Sequence, residues 1–523
     1  MKKTDIFIFF GIVLLVFLLK YPVLSLPYYW DELIFNIPNA ISLAESNFNP
    51  FAVPTLNHTF LLHLIIALLF KITNYSISFA HALNFILAGI AMFFTYKVGE
   101  KIQNKRLGII ASILLFFTPL FFSQSGLLHH AIALTAFTMM TLYFFMNNNK
   151  TLTIISASIL ALTQETGILV TVGIIIDLII EKGFNKRTIK QSLIYAIPAY
   201  LLVLWVLLNI FLQGWFLSPI AVGAASNISP LGWLFVFIKI LKVIFFDNYR
   251  WIITTITLLI LAKNNLKLNK KIVTSLIISI LFIILLNFTG PLSSIINNSG
   301  YFKHGKEYID LLKAFSLLFG IWLFLVITSF KNIKEDIKEN KLLYIILSIT
   351  LIFFSFFHGT ERYVLPAMPI YLLLTFKIIN KSLNKKTYII AAVMVVLFIT
   401  LYSPVKGFNG GMENNMEYSE FVKAHLDASS YIETNYPNAV VLVPFKSHQN
   451  YELSDPRLGY VKKPIKLINP RNLSELNEED FDLLYYSQFM SEQDKQFLIE
   501  KFNLKLEKEF NRKGKITEIY VKS

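Results

Sequence analysis

About thirteen apolar runs, each of spanning or near-spanning length, follow one another between residues 6 and 403. No soluble fold can bury that many, because only a hydrocarbon solvent accepts helices that are apolar on every side. The runs are predicted as helices at about 6–25, 77–97, 107–123, 130–146, 151–163, 166–181, 191–213, 250–262, 272–290, 308–329, 342–357, 362–379 and 387–403. Composition agrees: 55% of the 523 residues are hydrophobic and 15% are charged. The fold class is therefore a polytopic α-helical membrane protein. The N-terminus, Lys2-Lys3 ahead of Ile6–Leu19, lacks a small-residue cleavage site and is followed by Pro27 and aromatics, which makes it a retained signal anchor.

The net charge of +15 would suggest nucleic acid in a soluble chain. Here the lysines sit in short connections between apolar runs, so the charge reads as topology, with membrane lipids as partners and no nucleic acid. With the N-terminus in the cytoplasm, the inner connections are 97–106, 147–150, 181–190, 263–271, 330–341 and 380–386, and all carry lysine. The outer connections 26–58, 124–129 and 214–229 carry neither Lys nor Arg. Two apolar stretches, His58–Ile72 and Leu231–Phe246, are set aside as helices lying in the outer interface. Counting both as spans would put the lysine clusters 182–190 and 263–271 on opposite sides of the membrane.

Three parts follow from this pattern: a transmembrane catalytic domain over 1–403 with an outer loop at 26–76, a Gly- and Pro-containing linker at 404–419, and a small α/β domain over 420–523 outside the cell. In the last part helices are predicted near 420–435 and 491–502, with strands at 439–445, 481–486 and 516–521. The absence of cysteine excludes disulfides and thiolate metal sites.

The polar residues that interrupt the apolar pattern fall on the outer side. Asp31 and Glu32 stand in Tyr28-Tyr29-Trp30-Asp31-Glu32, at the mouth of the first helix. A carboxylate there suits a general base that takes a proton from an attacking hydroxyl. The plainer reading, compatible with the first, makes Asp31 the N-cap of a helix starting near Leu33, with Glu32 in its first turn. His58 shares that outer loop, and His63, one turn on, reads as an interfacial side chain. Adjacent residues point to different faces of a helix, so His129 and His130 suit hydrogen bonds to a phosphate or sugar better than a metal site. No cofactor is expected; a divalent metal shared with Asp31 or Glu32 is the less favoured alternative, since no ligand spacing supports it. Gln164 and Glu165 break an apolar region at an outer turn, as substrate contacts or as turn residues meeting water. A last cluster holds His358, Glu361, Arg362 and Tyr363; the planar fork of Arg362 matches phosphate oxygens, or else pairs with Glu361 or a lipid headgroup. Lys303, His304 and Lys306 form a second cationic patch.

These motifs resemble the GT-C superfamily of polyprenyl-phosphate-sugar-dependent glycosyltransferases, in particular the protein O-mannosyltransferase and aminoarabinose-transferase type. The acidic pair of a long first outer loop is matched by Trp30-Asp31-Glu32, and Asn57-His58-Thr59-Phe60-Leu61 stands where a His-Pro-Pro-Leu-like stretch is found. Gln164-Glu165-Thr166-Gly167 matches a Glu-Thr-Gly turn, and Arg362-Tyr363-Val364-Leu365-Pro366-Ala367-Met368-Pro369 an Arg-Tyr-x-Leu-Pro-x-x-Pro run. Residues 428–436 and 440–443 are similar to the opening helix and strand of an outer C-terminal domain. Both prolines after His58 are missing, and His129-His130 replaces an acidic residue of the second outer loop. The resemblance implies an inverting glycosyltransferase with Asp31 as base, Glu32 beside it, and Arg362 with the basic loops holding the donor's lipid phosphate. The acceptor would be a lipid-linked glycan, a lipid or a protein. A transporter or flippase of lipid-linked sugars is the alternative from another class, and a lipid-linked glycan polymerase or ligase the alternative among enzymes.

Overall fold

Apolar sequence becomes helix at each of the expected positions where the chain is described. The structure, a computed structural model, describes residues 3–53, 56, 58–214, 230–266, 270–287, 313–356, 361–402, 412–444, 448–470, 473–488 and 490–523. Its helices include Lys3–Lys20, Ile77–Ile102, Lys105–Phe117, His130–Met146, Lys150–Thr163, Ile168–Lys182, Ile197–Gln213, Arg250–Ala262, Ser316–Glu339, Lys341–Ser355, Met368–Leu383 and Thr387–Thr400. Among the described residues, four helical segments are long and apolar enough to cross a membrane alone, and up to six if each of two bent pairs is one span. The remaining apolar helices are shorter, from 10 to 17 residues.

The two stretches set aside as interfacial are helices too, Leu61–Thr73 and Pro230–Phe245. The second meets Arg250–Ala262 at 80°. Arg250 closes this corner from a fully buried position. Its Nε donates to the Ile244 carbonyl at 3.0 Å and its Nη2 to the Val243 carbonyl, which sets a positive charge against the negative end of a helix.

Phe7, Phe10, Leu14 and Leu18 are exposed along one face of the first helix, as are Leu204, Leu207 and Phe211 on Ile197–Gln213. Faces this apolar and this exposed need a hydrocarbon solvent. The protein is a multi-pass membrane protein.

Polar residues collect at the two ends of the bundle. Helix Ile77–Ile102 has 26 residues, about 39 Å at 1.5 Å per residue. Near its end Lys97 pairs with Asp5 at 3.1 Å, and just past it Gln103 donates to the Lys377 carbonyl at 3.3 Å. Lys377 in turn pairs with Asp336 at 3.1 Å and Glu339 at 2.8 Å. The lysine-bearing connections 97–106, 330–341 and 380–386 therefore meet at one end. Near the start of the same helix, Asn84 donates from Nδ2 to the carbonyls of Gln124, Ser125 and Leu127 at 3.0, 2.9 and 2.7 Å, at the end that carries Asp31.

Beyond Thr387–Thr400 the described residues form helices that include Glu417–Asn435 and Glu492–Phe502, together with a five-stranded sheet in the order β2-β1-β3-β5-β4. The strands are β1 (Val440–Leu442), β2 (Lys466–Ile468), β3 (Leu483–Ser487), β4 (Leu504–Arg512) and β5 (Lys515–Lys522). β1 runs parallel to β2 and β3, and β5 antiparallel to β3 and β4. β3 is central and buried on both faces, Leu483 and Tyr485 on one and Leu484 and Tyr486 on the other. The sequence reading found the inner strands and missed β2 and β4. Both are edges, and β4 is almost wholly exposed and rich in lysine and glutamate, as edge strands that resist further pairing are.

Close helix packing yields a prediction. A Cβ on Gly99 would stand 2.6 Å from the Gly108 Cα and 2.8 Å from its N, whereas one on Gly11 meets nothing within 4 Å. Gly99→Ala is expected to cost about 1–3 kcal/mol, the usual penalty for overpacking. Gly11→Ala is expected to leave the thermal unfolding temperature in detergent unchanged or slightly raised.

Candidate active site

Asp31 is delivered by a strained piece of backbone. Trp30, just before it, lies in the left-handed region with φ 48, and Glu32–Asn36 form a π-helical turn. Such conformations persist only where their surroundings fix them. Glu32 does much of the fixing. Its side chain is fully buried, Oε2 accepts the Tyr29 N–H at 3.0 Å and Oε1 accepts the Leu128 N–H. Asn36 Nδ2 donates to the Leu128 carbonyl at 3.0 Å, so both peptide groups of Leu128 dock on this turn.

Glu32 thus points inward and holds two loops together, away from the cavity beside Asp31, where it was expected to assist catalysis. Asp31 makes no capping hydrogen bond with its side chain. Its Oδ2 instead accepts from Arg362 Nη2, while Arg362 Nη1 meets Glu413 Oε2 at 2.6 Å. The guanidinium is buried between two carboxylates and packs over the Tyr363 ring at 5.6 Å. Tyr363 is itself stacked on Phe354.

Asp31, Asn36, His58, His129, His130 and Gln164 line one small cavity with Arg362 and Tyr363. Its volume is about 20 Å³, room for one water-sized group. Residues from all four polar clusters of the described sequence therefore meet in one place. His58 Nδ1 lies 3.2 Å from Glu165 Oε2, and its ring packs edge-on against His130 with centroids 4.8 Å apart. Glu361 turns outward from the cavity: Asn414 Nδ2 donates to it at 3.1 Å and Lys239 Nζ lies 3.6 Å away. His63 corrects an expectation. It is fully buried with its ring 5.2 Å from His130, because Leu62, His63, Ile66, Ala67 and Phe70 form the inward stripe of their helix. Lys303, His304, Lys306 and His358 lie outside the described residues. Among the described residues no group of three or more His, Asp or Glu is arranged to hold a metal ion.

Three members of the site were not foreseen: Asn36, which lines the cavity from the turn after Asp31, Glu413 and Gln124. Glu413 lies in the segment read as a linker, where no periodicity marks it. Burial pushes its carboxyl above the usual range, Arg362 pulls it down, and Asp31 and Glu361 push it up further. Gln124 sits in the second polar loop; its Nε2 donates to the Glu413 carbonyl at 3.1 Å and its Oε1 lies 2.9 Å from His129 Nδ1.

The role of Glu32 is testable by stability. Glu32→Gln keeps the shape and removes one acceptor oxygen, leaving a buried N–H facing an amide nitrogen. The expected cost is about 1–3 kcal/mol, read as a lower unfolding temperature in detergent, with activity lost only in proportion to unfolded protein.

Comparison with known proteins agrees with this architecture. Residues 57–212 match the family described as dolichyl-phosphate-mannose-protein mannosyltransferase. No curated protein sequence matches the chain significantly. The whole chain is similar in structure to ArnT from Cupriavidus metallidurans bound to undecaprenyl phosphate, with a TM-score of 0.51, 10% identity, and 99% of this chain and 98% of that one covered. For the same protein in the apo state the values are 0.50, 10%, 98% and 97%. Residues 57–212 thus resemble the mannosyltransferase family, and the chain as described shares the fold of that membrane protein.

Proposed function

We propose that the protein moves a sugar from a polyprenyl-phosphate donor to an acceptor hydroxyl on the outer face of the membrane, with inversion at the sugar carbon. The observation that carries this reading is the meeting of Asp31, Arg362 and the histidines in one cavity at the lysine-poor end of the bundle. The acceptor oxygen bonds to the anomeric carbon as the bond from that carbon to the phosphate oxygen breaks. The electron pair leaves on the lipid phosphate, and Asp31 takes the acceptor's proton. Arg362 exchanges a carboxylate for the leaving phosphate and offsets its charge, which is where most of the rate should come from. His58, His130, Gln164 and Tyr363 line the remaining wall as substrate contacts. Lys303, His304, Lys306 and His358 stay proposed as further contacts to the donor.

An apolar cavity of about 380 Å³ suits the lipid chain. It is lined by Phe237, Leu241 and Phe245 on one side and Leu351, Tyr371 and Leu374 on the other. The helix carrying Phe237 also carries Lys239, which reaches Glu361 beside the site. That the solved relative holds undecaprenyl phosphate supports a polyprenyl lipid here. The acceptor class is a lipid-linked glycan, a lipid or a protein. In this reading residues 420–523 form the outer domain, and thirteen helices cross the membrane.

Incubation with labelled polyprenyl-phosphate sugars tests the reaction directly. Asp31→Asn should insert normally while turnover falls roughly two to four orders of magnitude. Arg362→Lys should also be impaired, since one ammonium cannot span both partners of a fork. Near-wild-type transfer by a well-folded Asp31→Asn protein would remove Asp31 as the base, whereas a wild-type protein that translocates lipid-linked sugars without transferring them would favour a transporter. Activity should survive EDTA. For topology, a cysteine replacing Asn438 should react with an impermeant thiol reagent from outside, and one replacing Lys334 should not.

A further inference from the structure

A hydrogen-bond chain fixes the chemistry of His129, and with it the kind of group the cavity can hold there. Gln124 Nε2 donates to the Glu413 carbonyl at 3.1 Å. A carbonyl can only accept, so the amide orientation is set, and Gln124 Oε1 is the atom facing His129 Nδ1 at 2.9 Å. An amide oxygen can only accept as well, so His129 Nδ1 carries the hydrogen. In the neutral ring the other nitrogen, Nε2, is then a bare lone pair. That atom is buried and without a hydrogen-bond partner, on a residue only 3% exposed that lines the cavity with Asp31 and Arg362. Native structures rarely leave a buried acceptor unmet, and each case asks for an explanation.

We infer that His129 Nε2 accepts a hydrogen bond from a substrate hydroxyl, and that Gln124 is the positioning residue that keeps this nitrogen unprotonated. The inference rests on the proposed transfer and narrows it. Phosphate oxygens are acceptors, so the lone pair of Nε2 repels them; the lipid phosphate belongs on the Arg362 side and a hydroxyl on the His129 side. That hydroxyl belongs to the donor's sugar or to the attacking acceptor. In both cases the contact places sugar chemistry within one small cavity of the carboxylate of Asp31. The pairing also gives Glu413 a second duty, since its side chain holds Arg362 while its carbonyl orders Gln124 and, through it, His129.

Asparagine and glutamine separate the two ring nitrogens. His129→Asn keeps a donor near Nδ1 and loses the acceptor at Nε2; His129→Gln places an oxygen near Nε2. His129→Asn should lose roughly ten- to hundredfold in kcat/KM, and His129→Gln should recover much of that loss at an unchanged unfolding temperature. A rise in the acceptor's KM with the donor's KM unchanged assigns the hydroxyl to the acceptor, and the reverse assigns it to the donor sugar. Gln124→Met should lower activity in the same direction. The nitrogen chemical shifts of 15N-histidine-labelled protein, with His129 identified from the His129→Asn variant, read the tautomer without any turnover. A protonated Nε2 in the wild-type protein overturns the inference. So do wild-type kinetics in all three variants, and so does a well-folded His129→Gln protein as poor as His129→Asn. A wild-type protein inactive on every polyprenyl-phosphate sugar would sink the proposed transfer instead, and the tautomer would then be judged by its shifts alone.

Discussion

A guanidinium offers several donors, and Arg362 gives one nitrogen to each of two carboxylates far apart in the sequence, Nη2 to Asp31 and Nη1 to Glu413. Asp31 is 331 residues away and Glu413 is 51. Buried charge is tolerable only when it is paired and hydrogen-bonded, so each partner needs the other two in place. The first loop, the turn before helix Met368–Leu383 and the segment entering the C-terminal sheet are held in register by this contact. Around it the supports are mostly main-chain groups: Glu32 on the amides of Tyr29 and Leu128, and Asn84 on three carbonyls of the second loop, those of Gln124, Ser125 and Leu127. An active-site candidate built this way is rigid although it is made of loops.

The C-terminal sheet belongs to the same assembly. Tyr460 Oη donates to the Tyr28 carbonyl at 2.9 Å, and Arg457 Nη1 reaches Glu45 at 2.6 Å. Tyr29 packs against Tyr418 and Phe421, with ring centroids 5.7 and 5.6 Å apart. Behind Phe421, His425 pairs with Glu452 at 2.8 Å, and Tyr485 and Ser487 complete a buried network. A buried network with its members satisfied stiffens what it joins. The aromatic cluster beside Asp31 therefore leans on a firm wall.

Much of this was legible in the sequence. The helices were, because an apolar run in a membrane has nowhere else to go. So was the gathering of Asp31, His58, His129, His130, Gln164 and Arg362, since lysine counts alone assign those positions to one side. Pairing was not. Asp31 and Glu32 are neighbours with the same charge, yet one faces Arg362 and the other faces backbone, and only a π-helical turn decides which. Glu413 was hidden by its setting among glycines and asparagines, where polarity reads as solvent exposure. The edge strand β4 was hidden by its lysines, which guard it against other strands and erase the alternation that would announce it.

The pairing of Arg362 also bears on how tightly any anion can be held there. A phosphate arriving at the guanidinium must displace Asp31 or Glu413, so its net affinity is the difference between two charge-assisted contacts and not the whole of one. When the phosphate leaves, the carboxylates close on the cation again and no charge is stranded. Binding that is a trade of partners is shallow in both directions. In the proposed transfer, whose by-product would be a lipid with a charged head and a long apolar tail, such shallow binding favours letting go, the step at which many enzymes otherwise wait.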